Sequence, residues 1–156
     1  MVNGHKFTGQ VLSYVISLDQ ILGLVISEHF ANDQNEFSSI ILPTIELARK
    51  ITILETILAF EKYARIKQTH TTIIGDLNRI KDERNKIAHW HHDIFENMNS
   101  SKKKKKDITL TKYEKGKLKS KKITEKMQKN LIEDIRKSSF ALLQIHQHMQ
   151  QINKTM

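Results

Sequence analysis

The stretch TGQVLSYVISLDQILGLVISEHF, residues 8–30, decides the fold class of this chain. Its apolar residues recur at steps of three and four, which is the spacing of one buried stripe on an α-helix. They are Leu12, Val15, Ile16, Leu18, Leu22, Val25 and Ile26. Thr8 is a candidate cap for the helix. Because Asp19, Glu28 and, further on, Glu46 break the apolar runs, we expect a helix of a soluble core and no membrane span.

Three further stretches carry the same period, at residues 38–68, 72–92 and 124–153. Pro43 fits the first turn of the second helix or a kink. The second helix has so little polar surface on one side that we expect it to be buried on more than one face. It would lie either in the middle of a bundle or at a subunit contact.

Residues 108–113 alternate between apolar and polar, and Lys115-Gly116 follows as a turn signal before residues 117–120. This pattern predicts a small β-hairpin, with a disordered basic linker as the alternative. The chain is therefore expected to be a single all-α domain over residues 1–156. It would be an up-down bundle of four main helices with a small basic β-hairpin or loop insert, residues 97–122, before the last helix.

Charge is concentrated in one segment of the 156 residues. The chain has 26 Lys and Arg against 17 Asp and Glu, a net charge of +9. Residues 102–122 hold eleven lysines and two acidic residues, which accounts for all of it, and the rest of the chain is balanced. This distribution argues against a nucleic-acid-binding protein whose whole fold presents a cationic surface. Cysteine is absent, so disulfides, thiol nucleophiles and Cys-based metal sites are excluded as well.

One stretch at the end of the third predicted helix stands out for its chemistry: Asp82-Glu83-Arg84-Asn85-Lys86-Ile87-Ala88-His89-Trp90. Arg84 occupies a position where the apolar stripe should continue, four residues after Ile80 and four before Ala88. A cation on a buried face needs a partner or a function, because unpaired burial of charge is costly.

The pattern Arg-Asn-x-x-x-His near a helix end, in a short all-α chain, resembles the conserved motif of HEPN domains. These helical-bundle proteins occur in prokaryotic toxin–antitoxin, abortive-infection and CRISPR-associated systems. The resemblance implies a homodimer in which the motifs of two protomers meet across one cleft. It also implies a cytoplasmic toxin or phage-defence effector that acts on RNA. An antitoxin or a nucleotidyltransferase-type partner accompanies some members of this family.

The motif residues suit metal-independent cleavage of RNA, in which a ribose 2′-OH attacks the adjacent phosphate. His89 can act as general base or acid near neutral pH. Arg84 can stabilise charge on the phosphoryl oxygens through its forked, permanently charged donors. Asn85 can orient the phosphate or hold the histidine tautomer. The expected catalytic residues are Arg84, Asn85 and His89, and the expected products end in a 2′,3′-cyclic phosphate and a 5′-hydroxyl.

Other side chains near the motif are candidates for substrate binding. The lysine run can attract the phosphate backbone, or it can be a solvated loop. Trp90 can stack on a base or anchor the helix end. The candidate substrate-binding residues are Lys102, Lys103, Lys104, Lys105, Lys106 and Trp90. Glu83 is expected either to pair with Arg84 of the same or of the other protomer, or to be a surface acid.

Histidines cluster in sequence at His89, His91 and His92 and again at His146 and His148. We expect no metal site and no cofactor, because His-x-His on a helix turns the two rings to different faces. His91 and His92 are expected to end the third helix, where cations complement its dipole. The alternative function is a non-catalytic HEPN-like helical dimer that binds RNA or a partner protein. A helical interaction module without a nucleic-acid role is a third hypothesis.

Overall fold

A computed structural model of the protein describes residues 2–30, 37–89, 91–92, 108–115 and 117–155. Five α-helices and three strands form its main elements. The helices are α1 Val2–His29, α2 Leu47–Ile57, α3 Ala64–Thr69, α4 Ile73–His89 and α5 Glu125–Thr155. The strands are β1 His91–His92, β2 Ile108–Glu114 and β3 Lys117–Ile123. The all-α class is confirmed, with a small antiparallel sheet added to it.

The core is built on α1, which contacts α2, α4 and α5. Its fully buried residues follow the helical period and include Val11, Leu18, Leu22, Val25 and Ile26. The predicted stripe was wrong at one position, because Ile16 is 61% exposed while Val11 is covered. Thr8 is not a cap, since α1 begins at Val2.

Membrane insertion of α1 is not excluded by length and composition. Among the described residues, the segment Lys6–His29 is long and apolar enough to cross a membrane, so the expectation that its charged residues rule out a span was wrong. The core helix of a soluble protein passes the same test. The charges are also compensated inside the fold, because Asp19 pairs with Lys50 and Glu28 with His146. The burial of its apolar stripe gives α1 the role of a core helix.

The second predicted helix is broken into several pieces, so the continuous helix over residues 38–68 was wrong. Short π and 3-10 turns cover Phe37–Ile41 and Leu42–Thr44, and a further 3-10 turn covers Glu61–Tyr63. Phe60 is extended, with φ −66 and ψ 140. This break turns Tyr63 into the core, where it is fully buried and its hydroxyl lies 3.2 Å from Nδ1 of His29.

Within one chain, α2 buries a single face. Ile51, Leu54 and Ile57 lie in the core, whereas Arg49 and Glu55 are exposed. The prediction that this helix lies in the middle of a bundle was therefore wrong. The subunit contact, which was its alternative, stays a prediction.

The third predicted helix ends earlier than expected. It stops at His89, and His91 and His92 form β1. Two antiparallel pairings make the sheet order β1-β2-β3, with His91 opposite Thr111. The prediction that the two histidines end a helix was wrong because their backbone pairs with a strand twenty residues further along the chain.

The predicted hairpin is confirmed in β2 and β3, which pair from Ile108 opposite Ile123 to Glu114 opposite Lys117. Lys115 at its tip has φ 50, the left-handed conformation that tight hairpin turns require. Ile108, Leu110 and Ile123 at its base belong to the core. The base of the insert is therefore part of the fold and not a free linker.

The last helix, α5, begins where the sequence predicts. The backbone N–H of Met127 donates to Oγ1 of Thr124 at 3.3 Å, which is an N-cap hydrogen bond. Leu131, Ile135 and Leu142 are buried. The outer face of α5 carries three exposed apolar residues, Met127, Phe140 and Leu143.

Candidate functional site

The three predicted catalytic residues lie in one groove of about 660 Å³. One side of the groove is formed by α1 and the start of α2, and the other by the C-terminal half of α4. Arg84, Asn85 and His89 come from α4, and Lys81 of the same helix joins them. The motif therefore brings its side chains to a single concave surface.

Helical spacing explains why these side chains share one surface. Lys81, Asn85 and His89 are four residues apart, so they form a row along one side of α4. Ile80 and Ile87 are buried. Arg84 lies at the border between the buried row and the groove row, since it is partly exposed and lines the groove. The cation that interrupts the apolar stripe is thus at the edge of the core, and not deep inside it.

Arg84 is held by its neighbour in sequence. Its Nη1 donates to Oδ1 of Asn85 at 3.0 Å. No carboxylate among the described residues pairs with Arg84. The guanidinium therefore has donors left for an anion in the groove, and the Asn85 side chain restricts its orientation.

Glu83 does not pair with Arg84 of its own chain, and a pairing with Arg84 of a second protomer stays a prediction. Glu83 instead accepts a hydrogen bond from Lys86 at 2.7 Å and from Lys121 of β3 at 3.2 Å. Burial alone raises the pKa of the Glu83 carboxyl, but the hydrogen bonds from Lys86 and Lys121 outweigh it, so the pKa lies below its ordinary value. The negative charge of Glu83 therefore pairs with Lys86 and with Lys121 of the hairpin, and it does not neutralise the charge of Arg84.

His89 is the last residue of α4, and its side chain is exposed. An imidazole in this position can reach solvent and a ligand in the groove at the same time. It can accept a proton from one bound group or donate one to another without a change in the backbone.

An ion pair at the groove was missed from the sequence, and so was Lys81, which lines the groove. Asp19 of α1 lines it, and its Oδ2 accepts a hydrogen bond from Nζ of Lys50 at 2.7 Å. Lys50 is only 4% exposed. A lysine among Ile51, Leu54 and Ile57 on the buried face of α2 was the signal that could have indicated a charge partner.

The predicted substrate-binding residues fall outside the described part of the chain. These are Trp90, Lys102, Lys103, Lys104, Lys105 and Lys106. At least three of the six described hairpin lysines form ion pairs. Lys112 and Lys119 pair with Glu114, and Lys121 pairs with Glu83. These three lysines are therefore less available to a polyanion than the composition of the segment suggests.

The remaining histidines are dispersed. His146 pairs with Glu28 at 3.4 Å, and the rings of His148 and His70 are 6.4 Å apart. Among the residues that the structure describes, no three His, Asp or Glu side chains are placed to hold a metal ion.

The groove combines a forked cation, an imidazole and an oriented amide on one helix, next to a buried ion pair from two others. Such a set can bind a phosphate and move a proton. Comparisons with protein-family models, curated proteins and solved structures found no match for this chain.

Proposed function

We propose that this protein is a metal-independent endoribonuclease of the HEPN type. It would cleave RNA by attack of a ribose 2′-OH on the adjacent phosphate. The observation that carries the proposal is that Arg84, Asn85 and His89 line one groove, with the imidazole exposed. The spacing already predicts that the three side chains share one side of α4; the groove adds a concave surface against α1 and the start of α2, where a ligand can bind.

Each residue has a chemical role in this proposal. Arg84 binds the scissile phosphate and stabilises the charge that builds on its oxygens during attack. Asn85 holds the guanidinium through the 3.0 Å hydrogen bond. His89 transfers the proton of the 2′-OH or of the leaving 5′-oxygen. Lys81 adds a second cation to the α4 side of the groove, opposite the carboxylates of Asp19 and Glu46.

A homodimer completes the proposed site. The reaction needs one group to take a proton and another to give one, and a single groove offers one imidazole. A second protomer would supply the other. Such a contact would also cover Ile16, which lines the groove and is 61% exposed. The open face of α2 is also available to a second copy.

The proposal places the protein in the cytoplasm as a soluble toxin or phage-defence effector. An antitoxin or a nucleotidyltransferase-type partner would restrain it. RNA is its substrate, and the lysine run at residues 102–106 would recruit it.

We also propose the up-down order for the four longest helices, α1, α2, α4 and α5. It is supported by the contacts of α1 with the other three helices and of α4 with α2 and α5.

Digestion of RNA by the purified protein tests the proposal. We expect cleavage that persists in EDTA and leaves 2′,3′-cyclic phosphate and 5′-hydroxyl ends. Treatment of the products with polynucleotide kinase, with and without its 3′-phosphatase activity, identifies those ends. Activity that disappears in EDTA and returns with a divalent cation would refute the metal-independent mechanism.

A non-catalytic HEPN-like dimer that binds RNA or a partner protein is the second candidate. It is favoured by the hydrogen bond from Arg84 to Asn85, because that contact gives the arginine a structural partner inside its own chain. The same digestion discriminates the two candidates. If RNA remains intact at high protein concentration but migrates more slowly on a native gel, the binding function is correct.

A further inference from the structure

Two exposed phenylalanines and a half-buried histidine form an aromatic cluster at one end of the bundle. The ring centroid of His29 lies 4.9 Å from that of Phe30 and 5.2 Å from that of Phe60. Phe30 is 42% and Phe60 is 49% exposed. Single exposed apolar residues are ordinary, but rings that touch one another at the surface form a patch, and such patches mark binding sites.

The cluster rests on the core. Nδ1 of His29 lies 3.2 Å from the hydroxyl of Tyr63, whose ring is fully buried. Phe60 is the extended residue before the 3-10 turn Glu61–Tyr63, so its position is fixed by the burial of Tyr63 three residues later. A ligand that binds to rings already held in place pays less for ordering them.

A groove of about 560 Å³ lies between α3 and the last turns of α5. Its lining starts one helical turn after Tyr63, with the exposed Arg65 and the buried Ile66. The other described lining residues are Thr69, His148, Gln151, Ile152 and Thr155. None of these is acidic, and Arg65 forms no ion pair with any described residue. The guanidinium therefore has donors available for an anion.

The two segments that form this groove carry a positive charge. Residues 62–75 and 138–155 contain no Asp or Glu, and their cations are Lys62, Arg65, Lys67 and Lys154. Two acids lie close in sequence to the aromatic cluster. Glu61 is exposed, whereas Glu28 is buried and pairs with His146. This end of the bundle is thus a second basic region, separate from the lysine run.

Rings beside a positive groove are the combination that binds single-stranded nucleic acid, because bases stack on the rings and cations bind the phosphates. We infer that this end of the bundle binds single-stranded RNA, with an unpaired base on Phe60 and a backbone phosphate at Arg65. A protein partner would account for the exposed rings alone. The acid-free groove beside them is complementary to a polyanion.

The RNA surface lies at the opposite end of α4 from the motif. α3 ends at Thr69, and α4 then runs for 17 residues to His89, which is roughly 25 Å of helix. A long RNA can reach both places, whereas a dinucleotide in the motif groove cannot. The inference rests on the proposed function in one respect, because it assigns a second contact to the same substrate.

Binding of a labelled 2′-O-methyl oligoadenylate, followed by fluorescence anisotropy, tests this surface without cleavage, because the methyl group blocks the attacking oxygen. We expect Phe60→Ala to weaken binding at least about fivefold, the effect of losing one stacked base. Phe60→Trp should bind as tightly as wild type, and Phe60→Leu should not, because leucine has no ring. Phe140→Ala is the matched control, since Phe140 is 63% exposed and lies outside this groove.

Salt dependence separates the phosphate contact from the stacking. Arg65→Gln should reduce the slope of log K against log salt by about 0.7, the value for one phosphate of a single strand. Phe60→Ala should leave that slope unchanged. Arg49→Gln is the matched control, because Arg49 is exposed on α2 and does not line this groove. Circular dichroism checks that each variant is folded.

Cleavage kinetics separate this inference from the proposed function. Phe60→Ala should raise KM for a long RNA and leave kcat and the cleavage of a dinucleotide unchanged. If wild type cleaves RNA and Phe60→Ala has the same KM, the second contact is refuted and the nuclease stands. If no RNA is cleaved but Phe60→Ala weakens oligoadenylate binding, the nuclease is refuted and the RNA surface stands. Equal binding by wild type, Phe60→Ala and Arg65→Gln would overturn the inference and assign the rings to a protein contact.

Discussion

Lys121 of β3 donates to both carboxylate oxygens of Glu83, at 3.2 and 3.4 Å, and so ties the hairpin to α4 one residue before Arg84. Both side chains are only partly exposed, 29% for the lysine and 27% for the glutamate. Glu83 and Arg84 are adjacent, so their side chains leave the helix roughly 100° apart. The hairpin is therefore held beside the candidate site and leaves the groove open.

Removal of this contact should weaken the hairpin more than the helices. Because the pair is partly solvated, we expect Lys121→Met to lower the free energy of unfolding by about 0.5–1 kcal/mol. Urea denaturation measures this change, and hydrogen exchange of β2 and β3 localises it. Lys117→Met on the same strand is the control, since Lys117 is exposed. Equal losses in both variants would show that the ion pair does not anchor the hairpin.

The contribution of Glu83 should depend on pH with a definite sign. Its pKa in the folded protein lies below the ordinary value, because the hydrogen bonds from Lys86 and Lys121 outweigh the effect of burial. The stability that it contributes is therefore present above the pKa of the unfolded chain, about 4.3. It is lost as the pH falls through the lower folded-state pKa. We expect wild type and Glu83→Gln to differ in denaturation midpoint at pH 7 and to converge below pH 4, and a constant difference would contradict this.

Two leucines on α1 test whether this helix is a core helix of a soluble fold. Leu22 is fully buried and Leu24 is 52% exposed, two residues apart. We expect Leu22→Ala to lower the free energy of unfolding by about 2–5 kcal/mol, because it leaves a cavity. Leu24→Ala should change it by no more than about 0.5 kcal/mol. Chemical denaturation of the purified protein measures both. Similar small effects would indicate that α1 does not pack as described.

Local patterns predicted the helices and the hairpin because those elements depend on neighbours a few residues away. The break before Tyr63 could not be predicted, since Ile57, Phe60 and Ala64 continue the helical spacing of three and four. The break places Tyr63 in contact with His29, which lies 34 residues earlier. The short strand at His91 depends on pairing with Thr111 in the same way.

The same difference between local and long-range contacts applies to the candidate site. Arg84, Asn85 and His89 lie on one helix, so spacing alone indicates that they can act together. Asp19 and Lys50 lie on two helices, 31 residues apart, and only their packing reveals the pair. A charged residue on an apolar stripe marks such a partner but does not identify it.

His29 should make the protein less stable in mild acid. Burial lowers the pKa of its imidazole, and the nearby charge of Lys62 lowers it further. The unfolded chain then binds a proton more readily, so stability is complete above about pH 6.5 and falls as the pH drops below that value. We expect the denaturation midpoint to decrease between pH 7 and 5. In His29→Phe the decrease should be smaller, and an unchanged decrease would assign the effect to other groups such as His70, whose pKa is also lowered by burial and by His148.

Substitutions of the motif residues test the nuclease most directly. We expect His89→Ala to reduce the rate of RNA cleavage by about 10²–10⁴, because a positioned proton-transfer group is lost. Arg84→Ala should reduce it by at least about 10²–10³, because the charge on the phosphate is no longer stabilised.

Arg84→Lys separates charge from geometry. An ammonium retains the charge but lacks the planar fork that binds two phosphate oxygens side by side, so the rate should fall between those of wild type and Arg84→Ala. His148→Ala and Arg49→Ala are the matched controls, because both residues are exposed and neither lines the groove. Rates come from single-turnover cleavage of a labelled RNA, with light scattering and circular dichroism to confirm the same assembly and fold. Full activity in Arg84→Ala or His89→Ala would exclude the proposed chemistry, since the described lining of this groove holds one imidazole and one guanidinium.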